Sequence, residues 1–252
     1  MAAARGLPDG YRRRIRYLVQ AATIALAVPY PRSAVQEVRR ALGLDQARAF
    51  SLTQHACASA LLAVDVCGRL LAADGDPDAL ALIVTGEKTF TRVAQLIPDS
   101  AVMSEGTAAV LIRPGGGRDT MLGYASRCHG EFFRAPFQSA AVTSKFNAAY
   151  TPALTEVIMT ALDRACLRPD QIDLVLPHNV NRMSWIRTAR ATGLAADRIV
   201  MDTVATVGHC FGADSFINYR LACDRGLLRP GDHYLMTAVG LNATFSAMVF
   251  RH

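Results

Sequence analysis

Short apolar runs alternate along this chain with longer segments in which apolar side chains recur every three or four positions. The short runs are typical of buried strands, and the longer segments are typical of helices that pack on a sheet. Strands and helices that alternate in this order predict an α/β fold with a mixed, largely parallel sheet covered by helices. We predict strands within 14–27, 49–52, 80–86, 107–112, 172–178 and 204–208, helices over 33–42, 58–64 and 151–166, and a looser segment over 121–149.

The pattern repeats once, so the chain divides into two similar halves. Residues 40–50 resemble residues 190–200, and residues 83–86 resemble residues 237–240. The second half begins with a full helix that has no counterpart in the first, and we therefore expect the first half to be shortened at its start. The predicted boundaries are 1–120 for the first half, which carries the candidate nucleophile, and 121–252 for the second, which carries two candidate histidines.

Composition and charge narrow the range of functions. With 252 residues, 51% of them hydrophobic, the chain is long enough for a sizeable core. The formal net charge is +6 at pH 7, yet no basic run alternates with aromatic residues, so nucleic-acid binding is not expected. A mildly basic surface attracts an acidic partner such as a carrier protein or a nucleotide-bearing thioester, although a solvated face explains the same charge equally well.

The cysteines and the apolar runs indicate the cellular compartment in which the protein is expected. The six cysteines lie far apart and form no CxxC pair, so we expect no metal site. We find no signal peptide at the start of the sequence and therefore expect reduced thiols in the cytoplasm. The apolar runs are too short and too interrupted by charge to span a bilayer, and no membrane association is expected.

Cys57 lies where an apolar run changes into a segment of small, helix-favouring residues. A thiol at that point lies near a helix N-terminus, where unpaired backbone N–H groups and the helix dipole favour a negative charge. That environment favours the thiolate, which is the nucleophilic form of cysteine. The alternative is a small buried core residue, which is the commoner fate of a cysteine.

Two histidines and a tight turn are candidates to act with this thiol. His178 follows a predicted strand, and His209 follows an apolar run at the position in the second half that corresponds to the neighbourhood of Cys57. Ligands of α/β proteins gather at the carboxyl ends of strands, and acyl transfer needs a base and donors for an oxyanion. We therefore predict a thiol active site in which the backbone N–H groups of Cys57 and Leu241 bind the oxyanion. Taken alone, each histidine is more often structural.

Several separated segments resemble motifs of the thiolase superfamily, specifically its beta-ketoacyl-acyl carrier protein synthase III branch. Residues 56–59 resemble the nucleophile motif, and residues 104–109 resemble the Gly-Asp-Gly-Ala-Gly-Ala element. Residues 177–181 resemble Pro-His-Gln-Ala-Asn, and residues 240–242 resemble the glycine turn. These motifs occur in the order of the family and extend over nearly the whole chain.

The resemblance implies a thiolase-like fold of two similar α-β-α-β-α halves with mixed central sheets, the first of them truncated. It implies an acyltransferase that needs no bound cofactor and takes acyl groups from acyl carrier protein or CoA, through the phosphopantetheine arm. It also implies a homodimer, with Tyr30 near the tunnel of the partner subunit. The implied catalytic residues are Cys57, His178 and His209, and the implied oxyanion or substrate-binding residues are Leu241, Gly240, Asn181, Asn242 and Tyr30.

Three departures from the family pattern affect the implied activity. His209 stands where the family has asparagine, Leu241 and Asn242 replace glycines, and the start of the family's domain has no counterpart. A neutral histidine donates one N–H, as asparagine does, so decarboxylative condensation stays compatible with the sequence. In the family the missing part helps to bind CoA, which favours a carrier-protein donor. Its absence also leaves apolar sheet surface for a partner chain or a rearranged N-terminus to cover.

Three functions stay open on the sequence alone. In the first, Cys57 is acylated and condenses with a malonyl-type extender, as in fatty-acid or polyketide-type biosynthesis, and two histidine N–H donors for the enolate favour this outcome. In the second, His178 deprotonates an alcohol or amine that receives the acyl group as an ester or amide. In the third, the chain is a non-catalytic subunit of a heterodimer with a full-length homologue. No Gly-x-Gly-x-x-Gly follows a strand, which disfavours a nucleotide-binding oxidoreductase.

Overall fold

A computed structural model of the chain describes residues 2–4, 6–24, 28–89, 92–97, 100–133 and 139–252. The strands in this part are β1 (Ile15–Ala21), β2 (Arg48–Leu52), β3 (Leu80–Thr85), β4 (Leu96–Ile97), β5 (Ala101–Val102), β6 (Ala108–Ile112), β7 (Thr120–Cys128), β8 (Leu174–Leu176), β9 (His233–Gly240) and β10 (Thr244–Arg251). The helices are α1 (Asp9–Arg12), α2 (Ala34–Ala41), α3 (Ser59–Asp74), α4 (Arg92–Gln95), α5 (Ala140–Arg164), α6 (Arg182–Thr192), α7 (Asp202–Thr206) and α8 (Asp214–Asp224).

The first half forms a four-stranded sheet in the order β2-β1-β3-β6. β1 pairs in parallel with both β2 and β3, whereas β6 runs antiparallel to β3. The register places Ala21 opposite Thr85, so β1 and β3 end at the same edge of the sheet. β1 is buried along most of its length because strands flank it on both sides and helices cover both faces.

The second half forms a four-stranded sheet in the order β7-β10-β9-β8. β8 and β9 are parallel, whereas β9 with β10 and β10 with β7 are antiparallel. A parallel bridge between Val175 and Ile199 extends the sheet beyond β8. This sheet is mixed, as the pattern predicts, but most of its pairs are antiparallel, so the expectation of a largely parallel sheet holds only for the first half.

Helices fill the space between the sheets and cover their outer faces. α3 and α8 lie in the centre, where they share one hydrophobic core with strands of both sheets. α5 and α6 pack on the outer face of the second sheet, and α2 packs on the outer face of the first. The result is five layers in the order α-β-α-β-α. Burial of apolar side chains between these layers, at about 25 cal/mol per Å² removed from water, is the main stabilising contribution.

One segment, Ala56–Asp74, is long and apolar enough to cross a membrane by length and composition. The expectation that every apolar run is too short is therefore wrong for this segment. Its position explains its composition, since α3 is the central helix and has a sheet on each side. Small buried residues such as Ala60, Ala63 and Cys67 allow those sheets to approach it closely.

The prediction of a looser segment over 121–149 is wrong for most of that range. β7 pairs along the whole of β10, and α5 begins well before the predicted start of its helix and contains Pro152. The strand lies very close to α5, because a Cβ on Gly123 would be 2.3 Å from the carbonyl oxygen of Ala161. Small and polar residues suit that close approach, and they hide the apolar pattern that would have predicted a strand.

Two further local predictions are wrong. β2 was expected to be buried, but it is only partly buried because it forms the edge of the first sheet. A strand was expected over 204–208, but α7 occupies most of that range. Val204 and Val207 favour a strand by propensity. Asp202 in the first turn of α7 and Gly208 at φ 78° after it favour a short helix followed by a sharp turn.

β6 has a strand on one side only among the described residues, whereas its counterpart β10 lies between β7 and β9. The turn at Ala2–Ala4 packs against β6, and Leu111 is 38% exposed. Two cavities of about 760 and 810 Å³ run along this strand. The partly uncovered apolar surface that the repeat predicts is therefore on β6. Residues of the candidate site described below do not line these two cavities, which are therefore separate from that site.

Candidate active site

Cys57 lies in a tight turn that joins the end of β2 to α3. Residues Ala56–Ala58 form a single 3-10 turn, and α3 begins at Ser59, so the thiol is close to a helix N-terminus. Ala56 has a φ of 48°, a left-handed conformation that costs an alanine about 1–2 kcal/mol. The side chain of Cys57 is 1% exposed and packs against Met103 and Phe211. We call Ala56–Ala58 the nucleophile turn.

His209 meets this thiol from the second half of the chain. Its Nε2 atom lies 3.3 Å from Cys57 Sγ. The backbone of His209 is held on both sides, because its N–H donates to the Val102 carbonyl and its own carbonyl accepts the N–H of Ser104. The structure therefore brings Cys57 and His209 together. The prediction that His209 follows a strand is wrong, because it follows α7, but its side chain does meet Cys57.

Asp214, in the first turn of α8, completes this group, and sequence reasoning missed it. Its carboxylate accepts a hydrogen bond from Nδ1 of His209. The same carboxylate accepts the backbone N–H groups of Asn179 and Cys210, each at 2.6 Å. Because Asp214 is only 1% exposed, these three donors are what make a buried charge tolerable. A continuous chain of sulfur, imidazole and carboxylate results.

The charges in this chain favour a protonated imidazole. Burial by itself lowers the pKa of His209, but the Asp214 carboxylate and the Cys57 sulfur together hold that pKa well above its ordinary value. With one ring nitrogen donating to Asp214, the other presents its proton to Cys57 Sγ. An imidazolium in that position stabilises a thiolate on Cys57.

His178 lies beside this group, but both of its ring nitrogens are already engaged. Nε2 is 2.6 Å from the hydroxyl oxygen of Tyr150, and Nδ1 is 3.2 Å from the hydroxyl oxygen of Thr237. The ring also packs edge-on against Trp185. Burial and the nearby positive charge of His209 lower the pKa of His178 to about 3. His178 is therefore a neutral imidazole with two hydrogen bonds, and sequence reasoning missed both hydroxyl partners.

The low pKa of His178 predicts a specific dependence of stability on pH. In the unfolded chain a histidine takes up a proton below about pH 6.5, whereas native His178 stays neutral down to about pH 3. The stabilisation from neutral His178 is present above pH 6.5 and is lost as the pH falls, at about 1.4 kcal/mol per pH unit. Between pH 7 and pH 5 we expect the wild type to lose about 2 kcal/mol more unfolding free energy than His178→Gln.

Urea unfolding of both proteins at pH 7, 6 and 5 measures this difference. Curves at pH 7 to 8 serve as the internal control, because there His178 is neutral in both the native and the unfolded state. Parallel stability curves for wild type and His178→Gln below pH 6.5 would show that native His178 takes up a proton as readily as the unfolded chain.

The turn between β9 and β10 packs against the segment that leads to Cys57. A Cβ on Gly240 would lie 2.3 Å from a backbone carbonyl oxygen of that segment and 3.0 Å from Cβ of Ala56, so the contact requires glycine. Asn242 Nδ2 donates to the Gln54 carbonyl at 2.5 Å. Leu241 lies between these two anchored residues and is therefore kept beside the nucleophile turn. That its N–H binds an oxyanion stays a prediction.

Two more of the predicted substrate-binding residues are Asn181, which lines a cavity near the thiol, and Tyr30, which lies on the surface. Asn181 caps α6, because its Oδ1 accepts the N–H of Ser184 at 2.8 Å. Tyr30 is 97% exposed, so this chain does not bring it to Cys57, and its position near a partner's tunnel stays a prediction. Asn179, which was not predicted, supports the site, since its side chain donates to the Gly208 carbonyl while its N–H binds the carboxylate of Asp214.

A cavity of about 300 Å³ lies close to the apolar cover of the thiol. It is lined by Ile97, Val102 and Asn179, among other residues of the β4–β5 hairpin and of the loop after β8. Ile97 also packs with Met103 against Cys57, so the cavity lies just behind that cover. Within the described residues no three His, Cys, Asp or Glu side chains are placed to hold a metal ion.

Comparison with known proteins shows what this chain is similar to. Residues 162–252 match a family model described as 3-Oxoacyl-[acyl-carrier-protein (ACP)] synthase III C terminal. The chain is 26% identical over 248 residues to the beta-ketoacyl-[acyl-carrier-protein] synthase III of Ruegeria sp. (strain TM1040), covering 91% of this chain and 75% of that protein. The chain is therefore similar to beta-ketoacyl-ACP synthase III proteins. A synthase of the same name from Rhizorhabdus wittichii is 28% identical over 250 residues, covering 91% of this chain and 76% of the relative.

Solved structures share the fold of this synthase III-like chain. ChlB3 acyltransferase superposes with a TM-score of 0.82 at 20% identity, covering 95% of this chain and 78% of that one. The 3-oxoacyl-[acyl-carrier-protein] synthase III of Aquifex aeolicus VF5 gives 0.78 at 19% identity, with coverages of 96% and 79%. Xanthomonas campestris OleA gives 0.79 at 16% identity, with coverages of 95% and 76%. The predicted thiolase-like α/β fold is confirmed.

Proposed function

We propose that this synthase III-like chain is an acyltransferase that moves an acyl group from a thioester, through a Cys57 acyl-enzyme, to a hydroxyl or amine acceptor. One observation carries the proposal, namely the continuous chain of Cys57, His209 and Asp214. A thiol in contact with a base that a carboxylate orients is an arrangement that activates the sulfur for nucleophilic acyl transfer. The base is then His209 and not His178, to which the sequence pattern assigned the deprotonation of the acceptor.

The first half of the reaction loads the enzyme. The thiol proton of Cys57 lies on Nε2 of His209, and the thiolate attacks the carbonyl carbon of the donor thioester. The new carbon–sulfur bond forms, the carbon–sulfur bond of the donor breaks, and the leaving thiolate takes the proton from Nε2. Backbone N–H groups of Cys57 and Leu241 are the proposed donors to the oxyanion of the tetrahedral intermediate.

The second half of the reaction unloads the enzyme. Once Cys57 is a thioester its sulfur carries no charge, and one of the two groups that raise the pKa of His209 is gone. Neutral Nε2 then accepts the proton of the acceptor hydroxyl or amine as that atom attacks the acyl carbon. The ester or amide leaves, and the thiolate of Cys57 is restored beside a protonated His209.

Decarboxylative condensation is the second candidate, and the position of His178 beside His209 favours it. That reaction needs two N–H donors for the enolate oxygen of the extender. The hydrogen bonds argue against it, because Tyr150 and Thr237 occupy both nitrogens of His178, while Cys57 and Asp214 occupy both nitrogens of His209. Acylation of Cys57 releases only Nε2 of His209, so one ring N–H and not two would face the enolate oxygen, and we therefore favour transfer to a hydroxyl or amine over condensation.

The proposed donor is an acyl thioester of acyl carrier protein or CoA. The relatives named beta-ketoacyl-[acyl-carrier-protein] synthase III carry the carrier protein in their name, which supports this class of donor. The net charge of +6 favours an acidic carrier. The donor brings its own activated carbonyl, so no bound cofactor enters the proposal.

Intact mass spectrometry tests the proposal. We expect short, long or aromatic acyl thioesters to leave an adduct of acyl mass on the wild type and none on Cys57→Ala. A panel of alcohols and amines is then expected to discharge that adduct, whereas malonyl thioester is expected to leave it unchanged. His178→Gln is expected to retain discharge to the acceptor within about threefold, because the transfer mechanism does not use this ring.

Other results favour other functions. Release of CO₂ with a product longer by two carbons, lost in His178→Gln, would establish condensation. The absence of an adduct with every donor class would contradict both reactions. If adding a full-length homologue then restored activity, the chain would be a subunit of a heterodimer.

A further inference from the structure

A threonine hydroxyl that the mechanism above does not use also touches the nucleophile. Thr23 lies two residues after β1, and its Oγ1 is 3.3 Å from Cys57 Sγ. The sulfur therefore has one hydrogen-bonding neighbour from each half of the chain, since His209 Nε2 lies at the same distance. We propose that Thr23 is a further catalytic residue, whose hydroxyl donates a hydrogen bond to the Cys57 thiolate while His209 holds the proton. The proposal rests on the proposed function in taking Cys57 as the nucleophile.

Glu87 fixes the backbone that carries Thr23. Because Ala21 of β1 lies opposite Thr85 of β3, the residues two positions further on also face each other at the edge of the sheet. Oε1 of Glu87 accepts the N–H of Thr23 at 3.0 Å and the N–H of Ile24 at 2.9 Å. Glu87 is therefore a positioning residue, which holds the loop after β1 so that the hydroxyl lies at hydrogen-bond distance from the sulfur.

Glu87 competes with the sulfur of Cys57 for the hydroxyl proton of Thr23. Its second oxygen, Oε2, is buried and has no hydrogen-bond partner within the described residues. Burial raises the pKa of Glu87, although the N–H groups of Ile24 and Thr23 and the Thr23 hydroxyl oppose that rise. The single hydroxyl proton of Thr23 is thus shared between the carboxyl of Glu87 and the sulfur of Cys57. An anionic sulfur attracts it more strongly than a neutral thiol does, because charge-assisted hydrogen bonds are the stronger ones.

The step breaks no bond of threonine. The thiol proton moves from Sγ to Nε2 of His209, and the sulfur becomes an anion that accepts the Thr23 hydroxyl hydrogen. When the thiolate attacks a carbonyl carbon, its charge passes to the carbonyl oxygen and the hydrogen bond to sulfur weakens. Thr23 therefore stabilises the thiolate before attack and takes no part in proton transfer.

Alkylation of Cys57 by iodoacetamide tests this role without an acyl donor. The rate is followed on the peptide that contains Cys57, and the exposed Cys128 in the same sample is the internal control for the reagent. Thr23→Val keeps the shape of the side chain and removes the hydroxyl. We expect it to move the pH midpoint of the rate upward by about one unit and, at a pH below the wild-type midpoint, to slow alkylation of Cys57 about fivefold. Thr23→Ser keeps the hydroxyl and is expected to stay within about twofold of the wild type.

Glu87 provides a second arm of the test. Glu87→Ala removes the oxygen that accepts the N–H groups of Thr23 and Ile24, and we expect it to slow alkylation as Thr23→Val does. Glu87→Gln keeps an oxygen that accepts these N–H groups, and we expect it to retain most of the wild-type rate. Thr23→Ala replaces the valine variant if that variant does not fold, which thermal unfolding shows directly.

Two outcomes overturn the proposal. One is an unchanged rate without the hydroxyl, and the other is an equal loss in the valine and serine variants. If no thioester acylates Cys57 but the effect of Thr23 on alkylation persists, the proposed function fails and the role of Thr23 stands.

Discussion

His209→Ala is expected to slow the acylation of Cys57 by at least about a thousandfold, in line with the loss of the base from comparable nucleophile–histidine pairs. The reason is that Nε2 of His209, 3.3 Å from the sulfur, is the atom that takes the thiol proton. The imidazolium that stabilises the thiolate is lost at the same time. The measurement is the single-turnover rate of adduct formation on Cys57, followed by intact mass at pH 7 with the donor in excess.

Two further variants separate proton transfer from packing. His209→Gln fills the buried site and retains an N–H for Asp214, but its amide nitrogen does not accept a proton at neutral pH. We therefore expect it to be about as slow as the alanine variant. His129→Ala is the matched control, since His129 is a partly buried histidine that packs edge-on against Phe245. A glutamine variant that acylates near the wild-type rate would show that His209 shapes the site without acting as a base.

The parts of the fold that could be predicted from the sequence are those in which burial alone fixes the structure. β1 and β3 are mostly apolar because both faces of each strand are covered, so the composition of their runs identifies them. β7 could not be predicted in this way. It carries Gly123 where α5 approaches within contact distance. Its larger side chains, Met121, Leu122 and Tyr124, are interrupted by that glycine and followed by small or polar residues, so no apolar run marks the strand. Its identity as a strand depends on pairing with β10, which is distant in sequence.

The same distinction between local pattern and tertiary packing applies to the residues of the candidate site. Cys57 could be singled out because the change from strand pattern to helix pattern is local, although the histidines and motifs further along the chain were needed to favour a nucleophile over a buried core cysteine. His209 was singled out, but for a strand that is in fact α7. Asp214 could not be found by pattern, because an acidic residue in the first turn of a helix is ordinary on a surface. Only the packing of α8 between the sheets shows that it is buried, and only the tertiary structure shows that it accepts from His209.

The hydroxyl partners of His178 show a different limit. Tyr150 comes from α5 and Thr237 from β9, and neither lies near His178 in sequence. A histidine in a familiar motif therefore suggested a free N–H donor, and the structure shows a ring with both nitrogens engaged. The chemistry of this residue follows from its tertiary neighbours and not from the motif that contains it.

Asp214→Asn is expected to lower the rate of acyl transfer by about ten-thousandfold, as a comparable substitution does in a Ser-His-Asp triad. Its carboxylate accepts three donors, from Asn179, His209 and Cys210. An amide presents an N–H₂ group to at least one of them, so a buried donor loses its acceptor. We expect the variant to lose about 2–3 kcal/mol of unfolding free energy for that reason. Single-turnover acyl transfer and urea unfolding, both at pH 7, measure the two effects.

The protonation state of His209 shows whether Asp214→Asn loses activity because the charge of the carboxylate is missing. In the wild type the raised pKa of His209 gives stabilisation that is fully present below about pH 6.5 and is lost as the pH rises through the native pKa. Without the carboxylate, burial is opposed only by the sulfur of Cys57, and the pKa of His209 is expected to fall. NMR titration of ring-labelled histidine measures that fall, with Asp202→Asn, a substitution at an exposed carboxylate, as the matched control. If His209 stayed protonated at pH 7 in Asp214→Asn, the carboxylate would not be the charge that prepares this imidazole to stabilise the thiolate.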